Sequence, residues 1–138
     1  MKTIEVVAAV IKDGLEVLCT QRGKNKLPYI HFKWEFPGGK IEEGEDHATA
    51  LTREIQEELR VGIRVLKELE KVDHQYPDFR LIMHPYLCAL SDNVVRTHLR
   101  LTEHHAAAWM LPTSPEFTEL DWAEADIPVV RQLLKSRP

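Results

Sequence analysis

The residues best equipped for chemistry lie between Gly38 and Leu59, in GGKIEEGEDHATALTREIQEEL. Glu54, Glu57 and Glu58 fall within about 100° of one another on a helix of 3.6 residues per turn. Ala48, Leu51, Ile55 and Leu59 recur every three to four positions, and their apolar stripe is centred roughly 110° from the carboxylates. The three glutamates therefore share a face that borders the core. Like charges at such spacings cost a helix about 0.2–0.5 kcal/mol per pair, and the C-terminal half of a helix disfavours anions. A divalent cation reverses the sign of that repulsion, and clustered carboxylate oxygens suit Mg²⁺ or Mn²⁺. The plain alternative is a solvated Glu-rich face with Arg53 paired to Glu57 at i,i+4. The preceding loop weighs against it. Pro37-Gly38-Gly39-Lys40 ends a strand with backbone free to approach a ligand, and Lys40 is a compact cation suited to phosphate. Loop, lysine and carboxylate helix describe a site for a metal and a polyphosphate.

The rest of the chain must position these groups. Its 138 residues predict a single domain over residues 1–138, large enough to bury a core without metal or disulfide. With 43% hydrophobic and 29% charged residues the composition is that of a globular protein and not of a disordered one. A formal charge of −4, with no basic run, argues against a nucleic-acid polymer as partner. The apolar run Val6–Ile11 is far short of the ~20 residues that span a bilayer, so no membrane partner is expected. Cys19 and Cys88 lack partner spacing and read as reduced, buried thiols of a cytoplasmic protein.

Ile4–Lys12 reads as a strand buried on both faces, joined through Asp13-Gly14 to a hairpin strand Leu15–Gln21. Gly23–Ile30 is loop, Trp34–Phe36 a short strand, Lys40–Gly44 loop again and Asp46 to about Arg60 the helix. Strands are expected over Val61–Val72 and Arg80–Leu90, with a turn at His74–Asp78 between them. A polar loop from His98 precedes a short strand ending at Trp109. Asp121–Ser136 is expected to close the chain as a helix, with Asp121 or Asp126 as its cap and Pro128 in its first turn. This order predicts an α+β fold, a mixed β-sheet sandwiched between helices (α/β/α).

Gly39, five residues, Glu45, seven residues and then Arg53-Glu54-Ile55-Gln56-Glu57-Glu58 resembles the Nudix box of the Nudix hydrolases. A random match to six such single-residue demands is on the order of 10⁻⁷ at one start. One position departs: relatives carry glycine two residues after the final glutamate, where this chain has Arg60, with Gly62 two places later. The departure puts the helix end and the next turn in question and leaves the carboxylates untouched. The likeness extends through WEFPGGKIEEGE, CTQR, EHHAAAW and ADIPVV, and is nearest to the MutT-like and CTP pyrophosphohydrolase branch.

The resemblance implies the Nudix fold and attack of water on a phosphoryl group of a nucleoside diphosphate linked to another moiety. It makes Glu54, Glu57 and Glu58, with the Gly38 carbonyl, metal ligands, and gives Arg53 the task of orienting the catalytic glutamates. The water-activating base is a box glutamate or Glu103, which lies six residues before Trp109 and is also a candidate ligand. His104 and His105 could bind metal, yet read more simply as solvated loop residues. Arg22 and Lys40 are the phosphate contacts. Glu45 is left as a helix cap or an outer support of the metal site, and Glu42 and Glu43 as solvated acids. Phe36 and Tyr76 offer apolar surface to a base, with core packing an equal claim on Phe36. Asp126 occupies the position that reads a base edge, or caps the last helix. Ionised, it accepts only and favours an amino group such as that of cytosine; protonated, it suits an oxidised purine. The expected activity is Mg²⁺-dependent hydrolysis of a nucleoside triphosphate to monophosphate and pyrophosphate. Cleavage of ADP-ribose or a dinucleotide, or a silent nucleotide-binding module, are the alternatives. Whether it works as monomer or homodimer stays open.

Overall fold

The structure, a computed structural model, describes residues 2–135. Strand β1 (Lys2–Asp13) runs through its centre, followed by β2 (Glu16–Gln21), β3 (Trp34–Glu35), β4 (Gly38–Lys40) and helix α1 (His47–Leu59). Next come β5 (Ile63–Glu68), β6 (Val72–Gln75), β7 (Phe79–Leu90) and β8 (Ala106–Met110), then the short helix α2 (Pro115–Glu119) and α3 (Ile127–Lys135). β1 and β7 pair in parallel from Lys2↔Phe79 to Lys12↔Ala89, and every other ladder is antiparallel. The mixed sheet is therefore the expected one.

The two-residue period of a strand sorts β1 between two cores. Val7, Ala9 and Ile11 pack with Leu51, Ile55 and Leu59 of α1. Ala8 and Val10 face the other way, onto Phe117, Val129 and Val130 of α2 and α3. Helices thus cover both faces, as the near-continuous apolar run of β1 requires.

Three details differ from the sequence reading. The span expected as one strand, Val61–Val72, is two: β5 stops at Glu68 after a bulge between Val65 and Lys67, and β6 begins at Val72 and runs to Gln75. β6 takes residues assigned to the turn because their ladder with β7 outweighs local turn preference. Gly38–Lys40 is a strand and not a loop, since β2 leaves β1 after the hairpin mouth and β4 fills the vacated edge at Val6–Ala8. The last helix starts at Ile127 with Pro128 in its first turn. Asp121 does not cap it, because its carboxylate accepts from Lys33 Nζ at 2.8 Å. Its expected end at Ser136 lies outside the described residues.

Candidate active site

β4 and α1 meet through two glycines. A Cβ on Gly38 would stand 2.0 Å from the Val7 carbonyl oxygen, and one on Gly39 would stand 2.3 Å from the Glu54 carboxylate. The doublet lets backbone lie against backbone on one side and a carboxylate on the other. Asp46 caps α1, its side chain accepting from the Thr49 N–H at 2.7 Å. That leaves Glu45, one of the two roles weighed for it now excluded, to hold Arg53. Arg53 Nε donates to Glu45 Oε2 at 2.8 Å and Nη2 to Oε1 at 2.9 Å. Hydrogen bonds from Arg53, with one from the Glu42 N–H, hold the Glu45 carboxyl down at about 2. The same guanidinium donates to Glu54 Oε1 at 2.9 Å and to the Lys40 carbonyl at 3.1 Å. Its i,i+4 contact with Glu57, at 3.6 Å, is looser. Arg53 therefore clamps the loop to the helix and fixes Glu54.

The three helix carboxylates, equivalent by spacing, are unequal in the structure. The Glu57 side chain is 58% exposed, that of Glu54 16% and that of Glu58 6%. Burial pushes the Glu58 carboxyl up to about 9, helped by a hydrogen bond with Glu54 and the charges of Glu54, Glu35 and Glu103. Among the described residues no three His, Cys, Asp or Glu side chains stand in a ready ion-binding arrangement. The carboxylates turn to Arg53, to His104 and to each other instead. Their chemistry still fits a divalent cation: oxygen donors crowd one wall, a glycine admits Glu54 to the backbone, and the surplus negative charge is what a cation would relieve.

The end of α1 explains how Glu103 and His104 arrive there. Arg60 adopts the left-handed conformation, φ 59° and ψ 30°, so a non-glycine residue makes the turn that glycine makes in relatives. The helix ends where the box predicts. The segment after the short 3₁₀ turn at Arg96–His98 then folds back onto the helix's unpaired carbonyls. Arg100 N–H donates to Leu59 O at 2.9 Å, Thr102 N–H to Glu58 O at 3.1 Å and Thr102 Oγ1 to Glu57 O at 2.8 Å. This return places Glu103 at the rim of the site and turns His104 inward. His104 is not a solvated loop residue: its side chain is 4% exposed, with Nε2 3.2 Å from Glu35 Oε2 and 3.6 Å from Glu58 Oε1. His105 stays exposed, its ring edge-on to Phe32.

Glu35 is the residue the sequence reading passed over. Its two oxygens are divided between Arg22, whose Nε donates at 3.2 Å, and His104. An ionisable residue between Trp34 and Phe36, next to the glycine doublet, was the available signal.

Two cavities meet at this wall. The larger, about 630 Å³, is lined by Lys40, Arg53, the three helix glutamates, Glu103 and His104. The smaller, about 210 Å³, is lined by Phe36, Tyr76, Leu81, Met83 and Asp126. Arg22, Glu35, Gly38, Gly39 and Lys40 border both. Phe36 stacks on Trp122 with ring centroids 4.9 Å apart, and Tyr76 on Tyr29 at the same separation. Both are core residues and slot walls at once. Asp126 Oδ1 accepts from the Phe36 N–H at 2.9 Å. Its carboxyl is spent on the strand and does not cap α3, which is preceded by the 3₁₀ turn Glu124–Asp126. Burial, with the charge of Glu35, raises its pKa well above the usual carboxylate value, against the Phe36 N–H and Arg22.

The NUDIX domain family model matches residues 1–133, and the chain belongs to that family. It is 34% identical over 138 residues to the CTP pyrophosphohydrolase of Escherichia coli K12, covering 99% of this chain and 96% of that protein. It is 34% identical over 79 residues to the 8-oxo-dGTP diphosphatase of the same organism, covering 56% of this chain and 60% of that one. The solution structure of the E. coli ORF135 protein matches with a TM-score of 0.78 and 31% identity, over 98% of this chain and 91% of that one. The Nudix fold, expected from one helix and one loop, is the observed fold.

Proposed function

We propose that this chain is a Mg²⁺-dependent, or Mn²⁺-dependent, nucleoside triphosphate pyrophosphohydrolase that releases a nucleoside monophosphate and pyrophosphate. The observation that carries the reading is the shared wall: a wide charged cavity and a smaller, largely apolar slot have Arg22, Gly38 and Lys40 in common. Such a pair suits a molecule that is polyanionic at one end and flat and apolar at the other. Glu54, Glu57, Glu58 and the Gly38 carbonyl would hold the metal, with Glu103 at the margin. The bound cation supplies positive charge against the phosphates and makes water easier to deprotonate. Arg53 keeps Glu54 in place through its clamp on Glu45. A helix glutamate or Glu103 takes the proton of the attacking water. Arg22 and Lys40 meet the phosphates the metal leaves uncovered.

The base enters the slot lined by Phe36, Tyr76 and Asp126. Burial raises the Asp126 pKa well above the usual carboxylate value, and in its protonated form the carboxyl has an O–H to donate as well as an oxygen to accept. That favours a base edge offering both partners, and the relatives named for CTP and for 8-oxo-dGTP mark the two classes to try first. No helix among the described residues is long and apolar enough to cross a membrane, and the buried free thiols Cys19 and Cys88 fit a reducing compartment. We place the enzyme in the cytoplasm, acting on free nucleotides.

The test is pyrophosphate release from normal, oxidised and methylated nucleoside triphosphates, with ADP-ribose and a dinucleotide as contrasts, in Mg²⁺ and in EDTA. Metal-dependent release of monophosphate and pyrophosphate from one triphosphate is expected. Turnover of ADP-ribose or the dinucleotide alone, or of nothing, overturns the reading.

A further inference from the structure

His104 is the most enclosed histidine among those forming ion pairs in the described residues, its side chain 4% exposed, and it takes no direct place in the reaction just described. Its Nε2 lies between two carboxylates, 3.2 Å from Glu35 Oε2 and 3.6 Å from Glu58 Oε1. The nearer partner, the Glu35 carboxylate, accepts, so Nε2 carries the proton. Its Nδ1 is buried with no hydrogen-bond partner. An orphaned buried nitrogen is a standing cost that a residue retained only to fill space would not carry, since an apolar side chain of similar size avoids it. The gain must come from Nε2. Glu35 is gripped on its other oxygen by Arg22 at 3.2 Å, so a line of contacts runs from Arg22 through Glu35 and His104 to Glu58. The wall that meets phosphate and the carboxylate nearest the core are thereby referenced to each other. Among the described residues Glu58 forms no other ion pair: Arg53 reaches Glu42, Glu45, Glu54 and Glu57, and Arg22 acts on Glu58 only through its charge at longer range.

We infer that His104 is a positioning residue whose Nε2–H, braced by Glu35, orients the Glu58 carboxylate for the divalent cation. The inference rests on the proposed metal-dependent activity. A residue that orients a ligand acts on metal affinity and on turnover, and leaves nucleotide binding largely alone.

The test compares His104→Leu, His104→Gln and His104→Asn in Mn²⁺ affinity, kcat, KM and metal-free melting temperature. Glutamine carries an amide N–H at the position of Nε2, asparagine one only at that of Nδ1. Mn²⁺ binding, read by electron paramagnetic resonance on the nucleotide-free protein, is expected to weaken about 10–100-fold in the leucine and asparagine variants. Their kcat should fall by a similar factor with KM within about threefold, and glutamine should restore both. Unchanged Mn²⁺ affinity and kcat in His104→Leu overturns the inference. So does a glutamine variant no better than asparagine, even where leucine fails to fold. If the wild type binds no Mn²⁺ and hydrolyses nothing, the metal-dependent reading itself fails and this inference with it, a result seen in the wild-type arm alone.

Discussion

The two cavities solve opposite problems with the same residue type. In the larger, negative charge is in excess: Glu54, Glu57, Glu58, Glu103 and Glu35 crowd one wall, and Arg53 neutralises only the loop side of it. In the smaller, apart from the shared Arg22, Glu35 and Lys40, the one charged side chain is Asp126, set among Phe36, Tyr76, Leu81 and Met83. Glu58 and Asp126 are both buried and both shifted upward in pKa, and burial is the first cause in each. Their surroundings then part company. Glu58 is flanked by further carboxylates, Glu54 among them, whereas Asp126 accepts from one backbone N–H. On the proposed reading a bound cation would favour the charged form of Glu58, while Asp126 would meet the base. A carboxyl's role follows from its neighbours and not from its burial.

Glu58→Gln strikes the charged wall and should have the largest effect. With the metal and electrostatic contributions of such sites as a guide, kcat is expected to fall at least ~10²-fold. In EDTA the same variant should melt at or above the wild-type temperature, because a crowded buried acid becomes a neutral amide. Full turnover, or a clear loss of metal-free stability, would erase the distinction between the two acids.

Asp126→Asn probes the other side. Relative kcat/KM across nucleotides should shift about 10–10²-fold, more than the rate on the best substrate declines. Stability carries a second signature. The folded pKa of Asp126 lies above its ordinary 3.8, so the folded protein keeps a proton that the unfolded chain releases. Its contribution is greatest below pH 3.8 and declines as pH rises toward the folded pKa. The amide keeps an acceptor for Phe36 N–H and removes that decline, so melting temperatures followed upward in pH should fall less steeply than in wild type. Identical pH slopes would show that Asp126 is ionised in the slot.

The smallest effect tests a position outside both cavities. Arg60 holds a left-handed conformation at the end of α1 that glycine adopts without strain. Arg60→Gly should stabilise by about 1 kcal/mol, roughly 3–5 °C in Tm, with kcat unchanged. Loss of stability would mean that the arginine side chain contributes to the turn.

The charged wall was legible in the chain because its members are neighbours in it. Gly39, Glu45, Arg53, Glu54, Glu57 and Glu58 lie within twenty residues, and the 3.6-residue period alone sets Glu54 and Glu58 one turn apart. What that period could not supply was their inequality, since exposure depends on what the helix packs against. His104 shows the limit most plainly. Beside Glu103 in a polar loop it reads as a solvated residue, and it is buried only because Arg100 and Thr102 bond to the carbonyls ending α1. Glu35 escaped notice for the same reason, its partners Arg22 and His104 being 13 and 69 residues away.

The slot is less local still, drawing on β1, on residues 22–40, on Tyr76–Met83 and on Ala123–Asp126. Residue types and spacing determined the family, the carboxylate helix and its loop, because helix period and glycine sterics act over a few residues. The bond from Phe36 N–H to Asp126 spans 90 residues, and only the closing of the sheet between its helices decided that Asp126 would be a buried acid with a raised pKa in the slot wall instead of a helix cap. Desolvation is a property of the surroundings, and the surroundings of Asp126 exist only in the folded molecule.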